Sequence, residues 1–428
     1  MAALGTVTVR NASNPGAAYR AGHEGTVAPR QAGPARRKTA AAPRPVSMNH
    51  SPATTVTIHR NIDAILPAWR EFEATALGTL YQNSLWCRAW IETVGQARHV
   101  QPLIVTAHVE GSLRILVPLQ IRKRLGVRVL EWLGSPHHNY GYPLLDPGFA
   151  PEAEAWFAAN WSGIIASTGG IDAVALTENP VQFFGLPHPM AALFNMRGAN
   201  PSFSVSLDRD YDALHARTHG SARKRTARKN EAALSRAGDL AFGLPNDKAE
   251  LHALIDTMFR HQEERLGEKG IHGAFGPAER QFIHRLAALQ DEADPILAPY
   301  RLALDGEVLS VMLGGLHRNG YWALISSLAP GPQRRHSPGE IALRRTIAAC
   351  CAAGLQRFDL SAGDAAYKQI WADEVIDLSI ILSAVNLRGL MWTAAEALRL
   401  AAKRTVKRTP ALMNAATAVR QLLRAGPA

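Results

Sequence analysis

Two acid–glycine dipeptides, Glu110-Gly111 and Asp305-Gly306, constrain this chain more than any other feature. Each parts two apolar runs: Leu103–Val109 from Leu113–Ile121, and Tyr300–Leu304 from Val308–Leu316. Such a pair between apolar runs is a hairpin signal, because both central positions of the tightest turn need a left-handed backbone. The turns stand about 195 positions apart, and their surroundings repeat in order. Before the first come a strand at Thr55–His59, a helical run from Ile62 to about Leu77 and a helix at Trp86–Val94. After it come a strand at Val127–Leu133, a helix from Pro151 to about Ala166 and a strand at Ile171–Leu176. The second turn follows helices at Ala249–Leu266 and Pro277–Leu289. It precedes a strand at Tyr321–Ser327, a helix at Pro338–Ala353 and strands at Arg357–Leu360 and Ser379–Ser383. Residue identity between the copies is poor, so the repeat is one of element order. Helices, a β-meander, a helix and a strand, twice over, predict a tandem α/β protein with mixed sheets flanked by helices.

The 428 residues suit two or three domains, and 47% hydrophobic with 19% charged residues excludes a mostly disordered chain. No apolar stretch is long enough to span a membrane. Three cysteines, Cys87, Cys350 and Cys351, are too few for a disulfide framework, which points to a reducing, cytoplasmic setting. The net charge of +11 is concentrated at the ends: seven Arg and Lys against Glu24 in residues 1–50, and eight against Glu396 in residues 385–428. The middle is close to neutral, so no nucleic-acid partner is expected from charge alone. Residues 1–50, rich in Ala, Gly, Pro and Arg, are expected to be a disordered basic leader, which translation from Met48 would leave out. The expected units are then 55–205, 206–385 and a basic tail at 386–428. That tail should be helical from Leu387 to Leu423, with a break near Pro410. It can lie on an anionic membrane, or it can be a solvated helix packed on the core.

Several segments can carry chemistry. Gln333-Arg334-Arg335-His336-Ser337-Pro338-Gly339-Glu340 joins a strand to a helix. Ser337 suits the N-cap and Pro338 the first turn, and the amides there, with the helix dipole, favour an anion. Gly339 permits close approach, so Arg334, Arg335, Ser337 and Gly339 form a candidate pyrophosphate cradle; an ordinary capped helix with solvated arginines is the alternative. The equivalent first-half helix opens Pro151-Glu152-Ala153-Glu154, whose carboxylates would repel phosphate. In Phe358–Trp371, Asp359 falls late in a strand, a glycine turn follows, and Tyr367, Lys368 and Trp371 share a helical turn. Asp359 can act as a base, Tyr367 can protonate a leaving thiolate and Lys368 can hold phosphate; a packed turn with a structural Asp–Lys pair is the alternative. Arg223–Lys229 holds five Arg and Lys and no acid, which suits an anionic ligand or a solvated helix face. His215 and His219 have metal-pair spacing without an accompanying carboxylate, so no metal is expected. Met258–Arg265 can line a cleft or be an amphipathic face, and the aromatic loop Ser135–Pro143 can line a surface or pack as a turn.

Tyr81–Trp86, Asn139–Leu145, the basic helix 221–229, His336-Ser337-Pro338-Gly339, and Phe358-Asp359 through Gly363-Asp364, Tyr367-Lys368 and Trp371 together resemble the CelD-like branch of GNAT acyltransferases. That bacterial group is associated with cellulose and exopolysaccharide genes and related to Fem-type transferases. The resemblance covers roughly residues 55–385. It implies tandem GNAT-like domains, with the cofactor in the second half. It also implies transfer of an acyl group, most often acetyl, from acyl-CoA to an amine or hydroxyl of a sugar or polysaccharide precursor. Arg334, Arg335, Ser337 and Gly339 would then bind cofactor, though Pro338-Gly339 replaces the usual glycine-spaced loop. Asp359, Tyr367 and Lys368 are the candidate catalytic residues. An aminoacyl-tRNA donor, or a non-catalytic docking role at a membrane polysaccharide machine, are the alternatives. The expected setting is cytoplasmic, with peripheral contact to the inner membrane through the basic tail left open.

Overall fold

The computed structural model describes residues 54–268, 276–291 and 294–408, with side chains as far as Thr405. The expected leader lies outside these residues, as does the tail beyond Arg408 with its expected break at Pro410. The first half runs β1 Thr54–His59, α1 Leu66–Glu73, α2 Ser84–Trp90, β2 Gln101–Val109, β3 Ser112–Arg124 and β4 Val127–Trp132. It continues with β5 Leu144–Leu145, α3 Ala150–Ser167, β6 Ala173–Pro180, β7 Gln182–Phe183, β8 Leu186–Pro187 and β9 Met196–Arg197. Then come β10 Ser202–Ser206, α4 Tyr211–Thr218, α5 Ser221–Ala237, β11 Leu240–Gly243, α6 Lys248–Glu268 and α7 Pro277–Leu289. The chain proceeds through β12 Leu297–Leu304, β13 Glu307–His317, β14 Gly320–Leu328, α8 Pro338–Ala352, β15 Arg357–Ala362 and α9 Ala366–Trp371. It closes on β16 Glu374–Ile376, β17 Leu378–Ala384 and α10 Leu387–Arg408.

Both signalled hairpins form. Glu110 and Gly111 have φ of 52° and 80°, and Asp305 and Gly306 have 50° and 85°, so both central residues of each turn are left-handed. A third turn of the same kind, Leu125-Gly126 (φ 51° and 81°), joins β3 to β4. The helix expected from Ile62 to Leu77 is shorter, because Pro67 fits only its first turn, and past Glu73 the Thr75 and Ala76 amides both turn back to the Phe72 carbonyl (3.2 and 2.9 Å). The end of α2 runs on into one wide turn at Ile91–Gly95.

The main sheets share a plan. The first has the order β1-β2-β3-β4-β6-β17-β9, with β5 beside β3, and the second β11-β12-β13-β14-β15-β10-β16. In each, a four-strand antiparallel meander meets its fifth strand in parallel, β4 with β6 and β14 with β15. The sixth strand then pairs antiparallel with the fifth. These sixth strands are exchanged. β10, which follows the first half, completes the second sheet, and β17, near the chain's end, completes the first. Helix α3 covers one face of the first sheet through Phe157, Trp161 and Ile164, and α10 lies on a patch of Val129, Ala173, Ala175 and Ile380. The second sheet is covered by α8 and α5. A shared core of α1, α2, α6 and α7 binds the halves, with Trp69, Trp90, Met258 and Phe259 essentially inaccessible.

Candidate functional site

A parallel pair that stops early leaves a cleft. β14 and β15 pair only through Gly320–Arg357, Tyr321–Phe358 and Trp322–Asp359, after which β14 runs on to Leu328 without β15 beside it. The described contacts to that free edge are Ser361 Oγ donating to the Ala323 carbonyl and Gln262 Nε2 donating to the Ser326 carbonyl. The first half parts in the same way beyond Val129–Ala173 and Leu130–Val174. There the 134–142 loop fills the gap: the Gly141 amide donates to the Glu178 carbonyl (2.9 Å), and His138 Nε2 lies 3.3 Å from the Thr177 carbonyl. Trp132 Nε1 also donates to Asn179 Oδ1 at 2.7 Å. The first-half cleft is thus plugged by its own loop, whereas the second-half one is not.

The mouth of the second cleft is the segment from β14 to α8. Gly331, at φ 109°, starts it, a 3₁₀ turn covers Pro332–His336, and Ser337 precedes α8 with φ and ψ both 52°. Ser337 occupies the expected N-cap position, but its side chain makes no capping bond. A left-handed residue departs from the extended backbone from which a serine hydroxyl reaches the first-turn amides. Its carbonyl accepts from the Glu340 and Ile341 amides instead (3.0 and 3.2 Å). A Cβ on Gly339 would meet only Leu328 Cδ1, at 3.9 Å, so the backbone there is open to a ligand. Arg334 is braced by Nε to the Ala329 carbonyl (2.8 Å) and Nη1 to both Glu268 oxygens (3.0 and 2.8 Å), while its buried Nη2 has no partner among the described residues. Exposed Arg335 donates to His336 Nε2 (3.1 Å). Helix α5 packs against Pro332–His336 and holds α8 through Glu231, which pairs with Arg344 and Arg345 (both 2.7 Å). The acid contrast with the first half is weaker than the sequence suggested, because Glu340 sits in the first turn of α8.

Asp359 lies deeper, fully buried on β15. It accepts from Tyr140 Oη (2.8 Å), from the Ser361 amide (2.8 Å) and from Arg357 Nη2 (3.4 Å). Arg357 also holds Glu374 (2.6 Å) and stacks over Phe183 at 4.7 Å. Burial pushes the Asp359 carboxyl up, against the pull of Arg357 and the hydrogen bonds. Tyr140 comes from the first-half loop, so Asp359 ties the halves together rather than facing an open surface. Lys368 is buried on α9 and donates to the Ser361 (3.1 Å) and Ala362 (2.9 Å) carbonyls. Burial pulls its ammonium down to about 8, partly offset by Asp359 and Asp364. Tyr367 beside it is 44% exposed.

The structure therefore groups Asp359 and Lys368 around Ser361, and places Arg334, Arg335, Ser337 and Gly339 together at the cleft mouth. No hydrogen bond among the described residues joins the two groups. Trp371 is a core residue stacked on His215 and tilted against His219 (ring centroids 5.9 and 4.4 Å). That accounts for the histidine spacing by packing. Among the described residues no group of three or more His, Cys, Asp or Glu could hold a metal. In Met258–Arg265, His261 and Gln262 face the sheet, with His261 Nδ1 3.4 Å from Ser327 Oγ. Sequence reasoning missed Tyr140 as a partner of Asp359. It also missed a cavity of about 350 Å³ beside the Gly363 turn, lined by Arg197, Asn200, Pro201, Asp364, Asp377 and Ser379. Glycine at 363 and acid at 364 marked one wall; the other walls come from distant segments.

Residues 221–369 match the model of the acetyltransferase (GNAT) domain family. No curated protein sequence matches the chain. Among solved structures, the crystal structure of FemX aligns at TM-score 0.53 and 11% identity, over 76% of this chain and 96% of that one. A conserved protein of unknown function from Bacteroides thetaiotaomicron aligns at TM-score 0.48 and 9% identity, over 77% and 99%. A tandem GNAT protein from the clavulanic acid biosynthesis pathway aligns at 0.43 and 10%, over 78% and 99%. Residues 221–369 of this chain are thus similar to the acetyltransferase (GNAT) domain, within a two-sheet architecture that shares its fold with FemX.

Proposed function

We propose that this protein is an acyltransferase of the CelD-like kind, moving an acyl group, acetyl in the simplest case, from a coenzyme A thioester to an amine or hydroxyl of a sugar or polysaccharide precursor. The observation that carries the donor assignment is the buried, unpartnered Nη2 of Arg334 at the mouth of the unplugged cleft. An orphaned donor held rigid by Glu268 and Ala329, beside an open glycine backbone at a helix N-terminus, fits a pyrophosphate. Arg334 and Arg335, with Ser337 and the Gly339 amide, would hold it.

A thioester supplies an acyl group that is already activated, so the protein's tasks are placement and proton removal. Lys368, with a pKa near 8, is partly neutral around that pH and can take the acceptor's proton. Asp359 is a positioning residue that fixes the Ser361 turn on which Lys368 rests. Exposed Tyr367 can return a proton to the leaving thiolate. The cavity at Arg197, Asn200 and Asp364 adjoins the same turn, and its mixed polar and apolar lining suits the two faces of a sugar ring. A second reading, suggested by the basic run Arg223–Lys229 on α5, replaces the thioester with aminoacyl-tRNA.

Calorimetric titration of acetyl-CoA into the full chain tests the first reading. Wild type should bind, and the Arg334→Glu, Gly339→Glu double variant should not. A folded wild type that binds no acyl-CoA overturns it, and tRNA binding that falls steeply with salt would favour the second.

A further inference from the structure

The outer surface of α10 is built against the usual rule for a helix end. Its inner face is fixed: Gly389 lies so close to the Asp172 carbonyl that no Cβ would fit, and Thr393 is buried. Trp392, Ala397 and Leu400 pack on the first sheet. Asn386 Nδ2 donates to Asp172 Oδ1 (2.7 Å), and the Val385 amide to the Asp172 carbonyl (2.8 Å). The opposite face carries Leu387 and Leu398, each 73% exposed, with Met391 at 65% and Leu390 at 55%. At about 100° per residue these four and the exposed Ala394, Ala395 and Ala402 fall within an arc of about 140°. Beside the arc, the β3–β4 turn raises Leu125, which is 99% exposed. Leu125, Arg388, Met391, Trp392 and Ala395 border one shallow hollow. A leucine at a left-handed turn position, wholly in water, is unfavourable on both counts and gains nothing within this chain.

The border of the arc is cationic. Arg388 and Arg399 flank one side and Arg404 the other, and Lys123 stands exposed beside Leu125. The helix's one acid, Glu396, is largely covered and paired to Arg399 (2.5 Å). No described helix is long and apolar enough to cross a membrane.

We propose that this face, the outer arc of α10 with the Leu125 turn, docks in the plane of an anionic lipid bilayer. The leucines and Met391 enter the acyl boundary, and the flanking cations meet lipid phosphates. A fixed apolar arc bordered by cations matches that interface. An ordinary protein partner would leave the cationic rim unanswered.

Flotation of the full chain tests this, using phosphatidylcholine vesicles with and without phosphatidylglycerol at roughly one lipid in three. Wild type should float with the mixed vesicles. Without phosphatidylglycerol the binding should fall by about fivefold for each cation engaged. Leu125→Gln with Leu398→Gln, which leaves the charge unchanged, should weaken binding to mixed vesicles by about tenfold or more per leucine. Val375→Gln, at an exposed apolar site on β16 away from this face, should bind as wild type does. Flotation of the double variant equal to wild type overturns the proposal. So does a wild type that ignores phosphatidylglycerol. So does a sedimentation result in which the wild type self-associates without binding vesicles and the double variant is monomeric, which would make a second copy the occupant.

Discussion

Glu73 ends α1 with its carboxylate accepting from the Ser84 amide (2.7 Å) and Ser84 Oγ (2.8 Å) at the start of α2. Burial lifts its pKa from 4.5 to about 7, against the pull of Ser84, Arg70 and Arg318. The native state then holds a proton that the unfolded chain has already shed. The stability this contributes is complete below pH 4.5 and is lost as pH rises through about 7. Replacing Glu73 with Gln should flatten the fall in unfolding free energy across that window, by on the order of 3 kcal/mol, as urea titrations on either side of it would measure. Tyr140→Phe removes a donor from buried Asp359 and should cost roughly 1–3 kcal/mol in the same assay. Position in a strand–turn–helix run singled out Asp359 and Lys368 in the sequence. The Tyr140 contact was not legible, because it spans 219 positions and nothing local in either segment names the other.

At the scale of elements, local chemistry was the best guide. Glu110-Gly111 and Asp305-Gly306 announced their turns because acid and glycine tolerate a left-handed backbone. Leu125-Gly126 forms the same turn unannounced, since leucine has no such preference and only the flanking strands force it. Helix α10 depends on a close approach that composition cannot show. Gly389→Ala would press a methyl against the Asp172 carbonyl, which is backbone and cannot yield. Its expected effect is a partly undocked helix, with amide exchange over 387–405 faster by about tenfold or more, while the second sheet keeps its protection. Uniform exchange across both sheets would mean that α10 and the sheets open as one unit.

The repeat of elements was visible as order along the chain, and the repeat of sheets follows it. The exchange of sixth strands was not, because hydrophobic period marks a strand without naming the edge it joins. β17 pairs with β6 from Leu378–Pro180 to Ala384–Ala173, far from its own half. A chain truncated after Asp377 should therefore lose the first sheet although that sheet's other main strands are intact. Residues 54–200 alone should also fail to give dispersed amide resonances. A folded spectrum from either would show that β17 is dispensable.

That exchange has a consequence for how the molecule is made. The first meander leaves the ribosome well before its partner, and the outer edge of β6 stays unpaired until Leu378–Ala384 emerges about 200 residues later. Throughout that interval the nascent chain carries an open, apolar strand edge, the kind of surface that joins neighbouring chains. Its productive yield should depend on elongation speed and on chaperones that shield that edge, more than on the stability of the finished protein.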